Sequence, residues 1–193
     1  MRSITDNEMR FLLTLLKSPE MEYHARGISS LVNITPMGAL KIAKKLEKER
    51  LITSKQIGRA KIYKINFDND YAQQYLQFLL QREAEQSNPI VKMWVNELRK
   101  IKHARLIILF GSVLRDKDAN DIDVLLITEQ KNFAVLKNEV EKINELNIKK
   151  LHPLYQSRDD FMSNIKKGDK VVLNAIKGSV VFGEEELIRL LKK

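Results

Sequence analysis

The 193-residue chain contains no cysteine. That absence excludes disulfide staples, thiolate catalysis and cysteine-ligated zinc or iron–sulfur sites, and it suits a reducing compartment. Histidine is scarce as well. His24, His103 and His152 lie far apart in sequence, which argues against a histidine metal cluster. No apolar run approaches the ~20 residues that a membrane-spanning helix requires, and the first residues place Asp6 and Glu8 in an amphipathic pattern where a signal peptide would carry its apolar core. There is no internal repeat and no low-complexity tract. A soluble intracellular protein with no membrane partner is expected, and a hydrophobic content of 44% can fill the core of one domain or of two small ones.

What the chain has in excess is positive charge, +9 in all, with 34 basic residues against 25 acidic ones. Residues 23–66 alone hold ten basic residues and two acidic ones, an excess of eight in about one quarter of the chain. Such concentration favours a polyanion, most commonly nucleic acid; the alternative is a lysine-rich surface that serves solubility. Local pattern bears on the choice. Residues 5–17 open with a threonine cap and repeat Met9, Leu12, Leu13 and Leu16 at helical spacing, and Ser18-Pro19 stops the run. A second short helix is expected over 23–31. A third begins at Thr35-Pro36, a capping residue followed by proline where the missing amide hydrogen costs nothing. Its apolar stripe reads as Met37, Leu40, Ala43 and Leu46, with Lys41, Lys44, Lys45 and Lys48 on its other faces. Residues 52–56 and 61–67 then read as strands of a hairpin whose tip, Ile57-Gly58-Arg59-Ala60, is basic.

Three helices and a hairpin of this kind resemble the winged helix-turn-helix domains of small prokaryotic transcription regulators. The resemblance covers about residues 5–67. It implies double-stranded DNA as partner, with Lys41, Lys44, Lys45 and Lys48 of the third helix as groove and phosphate contacts and Arg59 and Lys61 as wing contacts. Lysines position a protein on phosphates more than they choose a sequence. Thr35 and Gly38 could let the helix start approach DNA closely, although capping and packing account for them equally well. Some winged helices bind another protein instead.

Residues 69–85 read as a helix with Tyr71, Tyr75, Leu76, Phe78, Leu79 and Leu80, more apolar bulk than a lone surface helix exposes. It either packs on a domain or pairs two copies of the chain as a homodimer. The polar Gln86-Ser87-Asn88-Pro89 is the natural boundary. The organisation expected is therefore a DNA-binding domain over 1–68, a connecting helix and linker over 69–88, and a second domain over 89–193.

In that second domain a helix is expected over 90–102, with Val91, Trp94, Val95 and Leu98 on its apolar side. An apolar strand then ends at Phe110, Gly111-Ser112 follows, and after eight residues comes Asp121-Ile122-Asp123 at the head of a second apolar strand. Acids one residue apart on a strand point to one face, where they can hold a divalent cation together. Glycine at the bend lets a phosphate approach the backbone closely, and Ser112 adds a hydroxyl. The alternative is a strand–turn–strand whose aspartates only solvate a loop end. A helix over 133–146, a strand over 148–155, helices over 159–167 and 170–176, a short strand over 179–182 and a helix over 184–191 complete an α+β pattern.

Gly-Ser followed by Asp-x-Asp within apolar strands resembles the signature of the DNA polymerase β-like nucleotidyltransferases, in particular their minimal members, over about residues 90–183. The resemblance implies a small mixed sheet, triphosphate binding at Gly111 and Ser112, and magnesium on Asp121 and Asp123. It also implies transfer of a nucleoside monophosphate to an acceptor hydroxyl, conceivably one on a partner protein. Two departures stand out. The connection from Val113 to Asn120 is short and carries Arg115, Asp116, Lys117 and Asp118, where members often have a glycine and a longer loop. Active members also carry a third carboxylate on a following strand, yet residues 147–155 contain no acid, and His152 stands near the expected place. Histidine can act as a base near neutral pH but binds magnesium poorly, and an ordinary strand residue is the other reading. Asp159 and Asp160 follow Ser157, where they look like part of a helix start. A regulator that keeps the transferase fold only to sense nucleotide or to bind a partner is the rival to an active transferase.

Overall fold

The computed structural model describes residues 4–116 and 118–192, so Lys117 of the short connection lies outside the described residues. The chain divides into two compact units, one over residues 1–79 and the other over 80–191, and the fold is α+β. No described helix is long and apolar enough to cross a membrane.

The first unit runs α1 (Asp6–Leu16), β1 (Tyr23–His24), α2 (Ala25–Val32), α3 (Pro36–Lys48), β2 (Ile52–Ile57) and β3 (Ala60–Ile65). Thr5 and Glu8 close α1 with a reciprocal capping box, each side chain accepting the other's backbone N–H. Thr35 caps α3 by accepting from the Gly38 N–H at 3.0 Å, ahead of Pro36 in the first turn. Phe11, Leu12, Leu16, Ile28, Ala43, Leu46, Leu51 and Ile52 are fully buried and form the core of this unit. Tyr23–His24 was expected to open a helix. It is instead a third strand, pairing antiparallel with β3 through Tyr23–Tyr63 and His24–Ile62. Two residues are too short for any period to be read from sequence.

The stripe expected on α3 is corrected too. Ala39, Ala43 and Leu46 are its buried positions, whereas Met37 and Leu40 lie 62% and 37% exposed. With four apolar positions spread over ten residues, periodicity alone did not fix which side faced inward.

α4 (Asp70–Glu85) carries the chain across the division. Leu76, Leu79 and Leu80 on it are buried, while Tyr71 and Phe78 are exposed and flank Tyr75 with ring centroids 5.7 and 6.5 Å away.

In the second unit α5 (Pro89–Leu98), β4 (Leu106–Phe110), β5 (Asp121–Ile127), α6 (Phe133–Leu146), β6 (Lys150–Gln156), α7 (Arg158–Lys167), α8 (Lys170–Ile176), β7 (Ser179–Phe182) and α9 (Glu184–Lys192) follow in order. The sheet order is β6-β5-β4-β7, with β5 and β6 parallel and the other pairs antiparallel. Alternation along β5 sends Ile122, Val124 and Leu126 to one face, where they pack with Val91, Trp94 and Leu98 of α5 and Leu136, Val140 and Ile143 of α6. The opposite face is left to Asp121 and Asp123, and further along the strand to the buried Leu125 and Ile127.

Candidate functional site

β4 delivers the chain to Gly111, whose φ of 83° and ψ of −154° belong to a region that side chains avoid. A second constraint acts at the same position. A Cβ built on Gly111 would stand 2.0 Å from Oδ2 of Asp123 and 2.9 Å from its Cγ. Phe110 and Asp123 are partners in the β4–β5 ladder, so the bend folds back directly against the carboxylate, and only glycine leaves room for it. Ser112 is exposed and starts a 3₁₀ turn, Ser112–Leu114, with Leu114 packed against the core and Arg115 beyond it. The opening amides of such a turn have no partner within it, which suits them to an anion.

The connection to β5 stays short without glycine because it is cross-linked. The Ser112 carbonyl accepts from the N–H groups of Arg115 and Asp116 at 2.9 and 2.8 Å, and the Asp116 carboxylate accepts from the Asp118 N–H at 2.9 Å. An aspartate that mimics a backbone turn in this way does the work a glycine would otherwise do.

Asp121 and Asp123 stand on one face of β5, with Ile122 between them in the core. In the parallel register Asp121 pairs with Lys150 and Asp123 with His152. His152 Nε2 lies 3.4 Å from Asp121 Oδ1. His152 therefore occupies the neighbouring strand position beside the acid pair. The Lys150 ammonium is turned away, donating to the carbonyls of Asn144 and, at 2.8 Å, Asn147 at the end of α6.

Asp159 and Asp160 lie in the first turn of α7, beyond the far end of β6. Ser157 comes five positions after His152, roughly 16 Å of extended strand. Asp160 closes a capping box with Ser157, and that hydrogen bond holds its carboxyl below the ordinary range. Among the described residues, no group of three or more histidine, aspartate or glutamate side chains is placed to hold a metal ion.

The donor set fits magnesium in a limited way. Mg²⁺ keeps several waters and is held by one or two carboxylates together with substrate phosphates, and the Asp121–Asp123 pair beside the Gly111–Ser112 bend offers those carboxylates next to an anion-accepting turn. The third acid that would complete a transferase centre is not among them.

In the first unit the sequence-level candidates separate into two groups. Lys41, Lys44 and Lys48 lie on α3 and Arg59 is exposed at the hairpin turn, and none of the four has an ion pair among the described residues. Lys45 and Lys61 are committed elsewhere. Lys45 donates to Glu8 of α1 at 2.7 Å, and the same carboxylate completes the cap on Thr5. Burial tends to raise the Glu8 pKa, but the hydrogen bonds from Lys45 and Thr5 prevail and hold it below its ordinary 4.5.

Lys61 donates to Glu47 at 2.8 Å, and Glu47 also accepts from Ser54 of β2 at 2.5 Å; these two bonds hold the Glu47 carboxyl below its ordinary value. At about 100° per residue, positions 45 and 47 flank the outward stripe of α3 on either side. One ion pair thus ties α3 to α1, the other ties it to the hairpin, and the stripe between them is held outward. Neither clamp was legible in sequence, since Glu8 and Lys45 are 37 residues apart.

Residues 91–183, within the second unit, match the family model of the nucleotidyltransferase domain. No curated protein matches the chain. Among solved structures, AF1382 from Archaeoglobus fulgidus is 21% identical, with a TM-score of 0.39 over 44% of this chain and 92% of its own. The adhesin competence repressor AdcR from Streptococcus pyogenes is 14% identical, with a TM-score of 0.38 over 52% of this chain and 69% of its own. A ZitR variant from Lactococcus lactis, solved in complex with DNA, is 15% identical with a TM-score of 0.29 over 51% and 75% of the two chains. At such scores the winged-helix character of the first unit rests on its own element order and its β1-β3-β2 sheet.

Proposed function

We propose that the protein binds double-stranded DNA through α3 and the β2–β3 hairpin, and binds a magnesium–nucleoside triphosphate through Gly111, Ser112, Asp121 and Asp123. Residues 1–68 are the DNA-binding domain in this reading, and residues 89–193 the nucleotide-binding one. The observation that carries it is the packing of the Asp123 carboxylate against the backbone of Gly111, which puts a cation ligand and a phosphate-accepting turn in one place. Bound magnesium would neutralise the phosphate oxygens. The role best supported is nucleotide-responsive DNA binding, because His152 and not an acid stands beside Asp123 on β6.

Retention of duplex DNA with and without magnesium and each common nucleoside triphosphate tests this. A nucleotide-dependent change in retention is expected, and retention unaffected by every nucleotide and by replacement of Asp123 would reject it.

The match of residues 91–183 to the nucleotidyltransferase domain favours a second reading, transfer itself. An acceptor hydroxyl would attack the α-phosphorus, the bond to the β-phosphate oxygen would break, pyrophosphate would leave, and the hydroxyl proton would pass to a base, for which His152 is the nearest candidate to Asp121. Incubation with α-labelled triphosphates and magnesium decides between the two. Label on protein, nucleic acid or a small acceptor, lost in Asp121→Asn, establishes transfer, whereas binding without any labelled product leaves the sensor reading.

A further inference from the structure

The outward stripe of α3 is not simply basic. At i, i+3, i+4, i+7 and i+11 it presents Met37, Leu40, Lys41, Lys44 and Lys48, so its first two turns carry two large apolar side chains in the open. Exposing them leaves free energy of burial unused, roughly 1.5–3 kcal/mol for a side chain of this size when fully covered. Their neighbours on the same stripe are cations without ion pairs among the described residues, and acids are missing from it, because Glu47 and Glu49 lie beside the stripe and engage Lys61 and Lys45. A surface of that kind complements a polyanion that also offers apolar patches.

The major groove of DNA does so through the 5-methyl groups of thymine, and helices enter it with their amino-terminal residues against the base edges. The composition of α3 narrows the recognition further. Its sequence, PMGALKIAKKLEK, contains no arginine, asparagine or glutamine, the residues that read guanine or adenine with paired hydrogen bonds. The hydroxyl oxygen of Thr35, at the cap before the helix, accepts from the Gly38 N–H, which leaves only its O–H to donate. Apart from that hydroxyl and a lysine contact to guanine, the readout left to this helix is apolar contact.

We infer that Met37 and Leu40 read thymine methyl groups, so that α3 selects thymine-containing half-sites while Lys41, Lys44 and Lys48 hold the flanking phosphates. This rests on α3 being the groove helix of a DNA-binding protein, as proposed above.

The test uses the full chain. Duplexes retained from a random-sequence pool are identified, then remade with uracil in place of thymine, which deletes only the methyl groups. Wild-type affinity is expected to fall about fourfold for each contacted methyl, the worth of one buried methyl group. In Met37→Ala/Leu40→Ala the ratio of thymine to uracil affinity is expected to fall to about one. Both side chains are exposed, and thermal unfolding of the variant confirms that the unit stays folded. Lys44→Gln should weaken both duplexes alike and preserve the ratio, since phosphates carry no base identity. Equal wild-type affinity for thymine and uracil duplexes would overturn the inference while leaving DNA binding intact, as would an unchanged ratio in the double variant. Retention of no duplex at all would overturn the DNA-binding reading and this inference with it.

Discussion

The hairpin turn of the first unit and the bend after β4 in the second both hold a glycine at positive φ, 58° at Gly58 and 83° at Gly111. A Cβ at Gly58 would meet nothing within 4 Å, whereas at Gly111 it would run into the Asp123 carboxylate. The hairpin turn answers only to the backbone, and its exposed Arg59 acts, if at all, on something outside the chain. At Gly111 the bend and the acid are one packed arrangement, and moving either displaces the other. The first unit thus offers side chains from a tolerant surface, and the second offers a constellation that has to be preserved.

The largest effect expected follows from that contrast. Gly111→Ala should weaken magnesium-dependent nucleotide binding about tenfold to a hundredfold, since a strained position costs about 1–3 kcal/mol before any displacement of Asp123 is counted. Gly58→Ala should cost about 1–2 kcal/mol of stability, the penalty for a Cβ in the left-handed region, and leave both ligands' affinities nearly unchanged. Calorimetric titration of both variants and thermal unfolding measure the difference; similar losses at the two glycines would break the comparison.

Next in size is the clamp that sets α3. Lys45→Met leaves the mostly buried Glu8 carboxylate without its partner, at a cost of about 1–2 kcal/mol. The pH dependence has a definite sign. Because Glu8 is held below its ordinary 4.5 in the folded state, it stabilises the fold fully above that value, and the contribution disappears as pH falls through the lowered pKa. The gap in melting temperature between wild type and Lys45→Met should therefore be widest near neutral pH and narrow below 4.5. A gap constant with pH would show that Lys45 acts by packing alone.

A smaller effect separates the free lysines from the engaged ones. Replacing Lys41 and Lys44 together with glutamine should reduce the logarithmic salt slope of DNA binding by about 1.8, at about 0.9 for each phosphate no longer neutralised. Lys61→Gln should change it by less than about 0.5, because Lys61 already neutralises Glu47. Equal changes for Lys44 and Lys61 would show that the ion pair to Glu47 opens on DNA.

Much of this was legible in the sequence wherever a signal was local. Thr35-Pro36 marked the start of α3, Ser157 the start of α7, and the bounds of α6, α8 and β7 matched the periodic segments. The side-by-side placement of Asp121 and Asp123 followed from the two-residue period of a strand. Features that depend on partners distant in sequence were not legible. Pairing of Tyr23 with Tyr63 converts a short segment into a strand, and Glu8 and Glu47 take Lys45 and Lys61 out of the basic surface. The outward turn of Met37 and Leu40 was hidden for a related reason, since an apolar residue carries no mark of whether the fold will cover it or leave it for a ligand.

The central claim is that one acid of β5 and the bend it packs against bind nucleotide together. Titration of the common nucleoside triphosphates into wild type and Asp123→Asn, each with magnesium and with a chelator, tests it most directly. Saturable binding that requires both magnesium and the Asp123 carboxylate is expected. Binding of equal strength in the chelator, or in Asp123→Asn, would contradict it.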